Sequence, residues 1–142
     1  MNSVISATTG VAYGAAGTPK SARFFQAADD LLRGAHKQLQ NGDLELALEY
    51  GYRAALRIAG AICADSPTVM RRKRLPTSAW DKLALSGERE ATWAKEFSAY
   101  SALRSRVASG VAAAPSEAAV RRFVARVETF RDSFLPGALL VA

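Results

Sequence analysis

The chain contains one cysteine, one histidine and no long apolar run. Each shortage removes a class of chemistry. A lone cysteine, Cys63, excludes an internal disulfide and any multi-cysteine metal site. A lone histidine, His36, excludes the His-x-x-x-His pairs of hydrolytic zinc sites, and no acidic helix motif replaces them. A nucleophilic triad would have to rest on His36 alone. The 10 glycines are dispersed and form no phosphate-cradling loop. These shortages lead us to expect no metal, no cofactor and no catalytic residue. No segment approaches the ~20 apolar residues that span a bilayer. The N-terminus has no basic start leading into an apolar core, so no signal peptide is expected. A reducing, cytoplasmic setting away from membranes is therefore the expectation.

What the chain does have is apolar content and positive charge. Its 142 residues fit about one domain, and 49% of them are hydrophobic. Lys and Arg number 19 against 13 Asp and Glu, a net charge of +6, and Arg dominates. Such a balance favours anionic partners: RNA, a nucleotide or an acidic protein. The same Ala- and Arg-heavy usage also fits a GC-rich genome.

The apolar spacing is helical throughout, with no strand-like alternation and no repeat. Residues 1–17 are rich in Ser, Thr, Gly and Ala and show no helix period, so they read as a disordered N-terminal tail. Thr18-Pro19 is a cap followed by a first-turn proline. A helix to about Gln40 carries Phe24, Phe25, Ala28, Leu31, Leu32, Ala35 and Leu39 on one stripe. Asn41-Gly42-Asp43 stops it and caps a second helix, Leu44 to Ala64, which is thin with Gly51, Ala54, Ala59 and Ala61. Its Cys63 lies in an apolar stretch and reads as a buried small hydrophobe, not a reactive thiol. Asp65-Ser66-Pro67 ends that helix.

A short helix then bears Trp80, Leu83 and Ala84, capped by Thr77 or Ser78. A fourth runs from Glu88 to Ser109 with Ala91, Ala94, Phe97, Leu103 and Val107 inward, and Gly110 closes it. Ser116 caps the last, whose Val120, Phe123, Val124, Val127, Phe130 and Phe134 form the clearest amphipathic pattern. Pro136-Gly137 ends it. The expected fold is all-α: an up-and-down bundle of four long helices and one short helix over residues 18–136, with residues 137–142 as a C-terminal tail.

The candidate binding residues are basic. Arg71-Arg72-Lys73-Arg74 places four cations in an expected loop, where mutual repulsion calls for solvent or an anion. Arg53 and Arg57 lie four apart on one helix face, with Glu49 one turn before Arg53. They form either a salt-bridged stripe or an anion site gripped by planar guanidinium groups. Trp80 and Trp93 read as core residues, with Arg89 positioned to cover the Trp93 ring. The arginines at positions 121, 122, 126 and 131 oppose the last helix's apolar stripe, as on a solvated face.

Three stretches carry a resemblance: Tyr52-Arg53-Ala54-Ala55-Leu56-Arg57; Arg71-Arg72-Lys73-Arg74-Leu75-Pro76-Thr77-Ser78-Ala79-Trp80-Asp81-Lys82-Leu83; and Glu90-Ala91-Thr92-Trp93-Ala94-Lys95-Glu96-Phe97. In this order they resemble the SAV-like HEPN family of actinobacteria, over about Arg23 to Leu135. The resemblance implies a helical bundle, often dimeric, and a setting in RNA-directed conflict systems. Many HEPN proteins are metal-independent ribonucleases with an Arg followed four to six residues later by His; others bind nucleotides or only scaffold. Here Arg33 precedes His36 by three positions, on the first helix, so that pattern is absent.

The function expected is a non-catalytic HEPN-like interaction module. It is expected to homodimerise and to bind RNA, a nucleotide or an acidic partner through Arg53, Arg57, Arg71, Arg72, Lys73 and Arg74. One alternative is a metal-independent ribonuclease of degenerate motif using Arg53, Arg57 and either Tyr52 or His36. Another is a purely structural dimeric scaffold.

Overall fold

The structure, a computed structural model, describes residues 17–135. The expected tails, apart from Gly17, and the Pro136-Gly137 stop lie outside those residues. Within them the chain is all-helical: α1 (Pro19–Asn41), α2 (Leu44–Ala64), α3 (Pro67–Arg71), α4 (Ala79–Ala84), α5 (Glu88–Ala108) and α6 (Glu117–Phe134). Four are long, as the apolar periodicity requires. The single short helix expected from sequence is joined by a second, α3. Ser66, read above only as part of a helix stop, caps α3 through its hydroxyl, which accepts from the Val69 amide at 3.3 Å, while Pro67 occupies the first turn. The basic segment therefore begins inside a helix, at Arg71, and not in a loop.

The helix ends follow side-chain chemistry. Thr18 accepts from the Ser21 amide at 3.0 Å, Asp43 from Leu46 at 3.0 Å, and Ser116 from Ala119 at 3.2 Å. Ser78, not Thr77, caps α4, accepting from the Trp80 and Asp81 amides. Gly42 closes α1 at φ 79°, a left-handed conformation that costs glycine little. The turn to α2 is so short that α1 and α2 fold back as a hairpin. Gly34 faces Tyr50 and Gly60 faces Phe24, so the contacts run in opposite order along the two helices. Helices α5 and α6 also run antiparallel, with Trp93 against Phe130 and Tyr100 against Phe123.

Helix α2 is the hub, packing on α1, α4, α5 and α6. Its small residues make this possible. Ala47, Ala54, Ala55, Ala59 and Ala61 are fully or almost fully buried. A Cβ added at Gly51 would lie 3.0 Å from the Phe123 ring, which shows how closely α6 approaches. On the α5 side the core is aromatic. Phe97 is fully buried, with ring centroids of Trp80 at 5.5 Å, Trp93 at 5.8 Å, Phe130 at 5.0 Å and Phe123 at 6.1 Å. Pairs of this kind add about 0.5–1.5 kcal/mol beyond the area they bury. Trp80 also donates its indole N–H to the Tyr52 hydroxyl at 2.9 Å, satisfying both buried polar groups and tying α4 to α2. Trp80 is buried in the core and Trp93 is partly buried against it, so both pack inward as their spacing suggests. Arg89 does not cover Trp93, however. It lies 4.3 Å over the Phe134 ring, and Arg126 takes the place over Trp93 at 4.5 Å.

Candidate functional site

The six basic candidates separate in space. Arg53 and Arg57, one helical turn apart, enter different surroundings. Arg53 donates its Nε–H to Glu49 Oε2 at 2.7 Å. Glu49 is also held by Arg104 of α5 in a two-pronged pair, Nε to Oε1 and Nη2 to Oε2, each at 2.8 Å. The fork geometry matches the planar carboxylate, and the two arginines share one acid. The Glu49 side chain is only 14% exposed. The Arg104 hydrogen bond is the main cause that holds its carboxyl below the ordinary glutamate range, working against burial. Arg104 also sits 5.5 Å over the Tyr52 ring. This cleft contains Asp43 and Glu45 as well. Its positive charges are therefore already matched by carboxylates of the chain.

Arg57 faces a different environment. It lines a hollow with Lys20, Arg23, Phe24 and Ala27. A neighbouring groove of about 540 Å³ shares Lys20 and Phe24 and adds Arg72 and Lys82 at its rim. Its floor is apolar, formed by Leu56, Gly60, Val69, Met70 and Leu75 among others. No carboxylate lines either hollow. Among the described residues, none of Lys20, Arg23, Arg57, Arg72 and Lys82 makes a salt bridge. Two acids lie nearby without lining either hollow. Asp65 accepts the Thr18 amide at 3.2 Å, and Glu90 lies close enough to act on Cys63.

Five cations from α1, α2, α4 and the segment after α3 thus line two adjoining hollows that share Lys20 and Phe24. Of the tetrad, only Arg72 belongs to the groove. Its Nε donates to the Arg74 carbonyl at 3.3 Å, which folds the segment back on itself. Arg71, Lys73 and Arg74 are exposed and line neither hollow. Cys63 is half-buried and lines the groove instead of lying sealed in the core. Burial pushes its thiol up, away from thiolate character.

The sequence reading missed Lys20 and Lys82 in the groove, Arg23 in the adjoining hollow and Arg104 in the cleft. Signals for two of them were present. Lys20 and Phe24 stand four apart at the start of α1, and Arg104 follows Phe97 by seven, which returns it to the inward face of α5. The arginines of α6 contribute to neither hollow. Arg121 pairs with Glu117 and Arg126 with Glu96, and Arg131 bridges Asp29 and Asp132. The hydrogen bond from Arg126 is the first cause that lowers the Glu96 carboxyl.

His36 is exposed on α1, its Nε2 2.9 Å from Glu128 Oε2, while Arg33 pairs with Asp30. Among the described residues no cluster of His, Cys, Asp and Glu has the geometry to hold a metal ion. No described helix is long and apolar enough to cross a membrane.

Comparison with curated proteins and with solved structures gives no match. Comparison with family models gives one of the SAV-like HEPN description, over residues 46–134. The match covers more than half of the chain, from α2 to the end of α6, and includes all three landmark stretches. The chain therefore belongs to the SAV-like HEPN family.

Proposed function

We propose that this HEPN chain is a non-catalytic interaction module, formed by residues 18–136, that homodimerises and binds an anionic partner through the cations around Phe24. One observation carries the proposal. Lys20, Arg23, Arg57, Arg72 and Lys82, none of which makes a salt bridge among the described residues, line two adjoining hollows that share Phe24 and have no acid in their lining, while the arginines of the cleft and most of those of α6 are paired. Arginine forks and lysine heads left without partners favour phosphate or carboxylate from outside.

Of the residues weighed for a degenerate ribonuclease, all but Arg57 have partners within the chain. Tyr52 is buried and its hydroxyl accepts the Trp80 N–H. Arg53 is held by Glu49, and His36 faces Glu128 away from both hollows. These engagements weigh against a reaction centre and for a binding role. The purely structural scaffold is left without an account of the carboxylate-free groove.

The test is anisotropy of a labelled heparin oligosaccharide and of oligouridylate at two salt concentrations. We expect binding that weakens steeply with salt, because each phosphate or sulfate contact releases a counterion. Arg57→Ser, Arg72→Ser and Lys82→Ser together should weaken it about tenfold or more. The charge-matched set Arg106→Ser, Arg121→Ser and Arg122→Ser should change it far less. Equal loss in both sets, or no binding to either polyanion, would overturn the proposal. Light scattering across a concentration series tests the homodimer.

A further inference from the structure

The rim and the floor of the Phe24 groove differ in chemistry, and together they narrow the ligand. The rim is cationic. The floor is mainly aliphatic: Leu56, Val69, Met70 and Leu75. Met70 is 68% exposed and Leu75 is 43% exposed. With Val111, which lies elsewhere, they are the exposed large hydrophobics among the described residues. Two such side chains lining one groove with Lys20, Arg72 and Lys82, none of them in a salt bridge among the described residues, are a poor arrangement for open solvent. Covering them gains about 25 cal/mol for each Å² removed from water.

A nucleic acid uses such a surface badly. Base binding rests on open aromatic faces. The one aromatic ring here, Phe24, is packed against Gly60, where an added Cβ would lie 3.1 Å from its Cε1. An amphipathic segment uses the surface well. Aliphatic side chains suit an aliphatic floor, and methionine adapts to their shape. Lysine and arginine stems lie along apolar surface while their charged heads reach outward to carboxylates.

Resting on the anionic-partner reading above, we infer that the groove docks an acidic amphipathic protein segment. Its aliphatic side chains sit on Met70, Leu75 and Leu56, and its carboxylates meet Lys20, Arg72 and Lys82, with Arg57 in the adjoining hollow. This is helix-in-groove recognition with charge selection added at the rim.

The experiment is a display selection of random peptides of about 16 residues against the full chain, followed by anisotropy of the enriched peptides. The expected winners combine Asp or Glu with aliphatic residues at helical spacing. Met70→Ser with Leu75→Ser should weaken them about tenfold, a loss of about 1.4 kcal/mol. The same pair should leave heparin binding within about twofold, since heparin uses only the rim. Both side chains are exposed, so their replacement leaves the core intact.

If heparin binding depends on the rim but no acidic amphipathic peptide is enriched, this inference falls and the anionic-partner reading stands. If neither ligand depends on the rim cations, both fall. If the Met70 and Leu75 changes weaken oligouridylate and spare the peptides, RNA is the occupant and the inference is overturned. If those changes instead dissociate the chain in sedimentation, a second copy occupies the groove, with the same consequence.

Discussion

The cleft at Glu49 and the groove at Phe24 are built from the same materials and have opposite character. Both take an arginine from the same face of α2, Arg53 for one and Arg57 for the other. In the cleft, Glu49 gathers Arg53 and Arg104 and joins α2 to α5. In the groove, the cations meet no acid and the apolar floor stays open. One carboxylate turns a pair of arginines into internal structure. Its absence one turn later leaves an arginine for use outside. A basic count on a sequence cannot separate these cases.

Substitutions of matched chemistry on the two sides test this contrast. The largest effect is expected from Phe97→Ala, which opens a cavity in the fully buried aromatic stack and should cost about 3–5 kcal/mol of unfolding free energy in urea titration. The half-buried Phe24→Ala should cost far less, roughly 1–2 kcal/mol, while weakening groove ligands. Equal losses would break the division into structural and open sides.

Next is Glu49→Gln, which leaves Arg104 and Arg53 short of their shared acceptor. It should cost about 1–3 kcal/mol, read from the same titrations. This residue also predicts the acid limb. Its folded carboxyl titrates below the reference value of 4.5, so its contribution is complete above that pH. The contribution is lost as pH falls through the lowered folded value. Stability measured down through this range should decline less steeply in Glu49→Gln than in the parent chain. Glu96→Gln should show the same change in a weaker form, because Arg126 across from it is about half exposed.

The smallest effect is expected at Arg57. With no salt bridge to lose, Arg57→Ser should leave stability within about 0.5 kcal/mol. A larger loss would mean that the groove cations serve the fold.

Much of the fold was legible because its signals are local. Spacing at three and four residues fixed the faces of α1, α2 and α6, and Thr18, Asp43 and Ser116 cap where their chemistry points. Helix α3 was missed because five residues are too few to show a period, and Pro67 reads equally as a stop and as a first turn. Landmarks in α2, around Trp80 and in α5 sufficed for the family, since proline, cap and tryptophan mark a junction that packing requires. The candidate site was legible only in part. Arg72 lines the groove and Arg57 the hollow beside it, Arg53 belongs to the cleft, and the other three tetrad residues line none of these.

By itself, then, the sequence determined an all-helical chain, its apolar stripes, its family and its excess of arginine. These depend on neighbours within one or two turns or on residue identity alone. The tertiary structure decided which cations are spent within the chain and which remain open. Ion pairing is a matter of a few ångströms between side chains 55 positions apart, as for Glu49 and Arg104. Only the packing of α5 against α2 sets that distance, and only the folding of α1 and the basic segment over α2 brings Lys20, Arg57 and Arg72 around one phenylalanine.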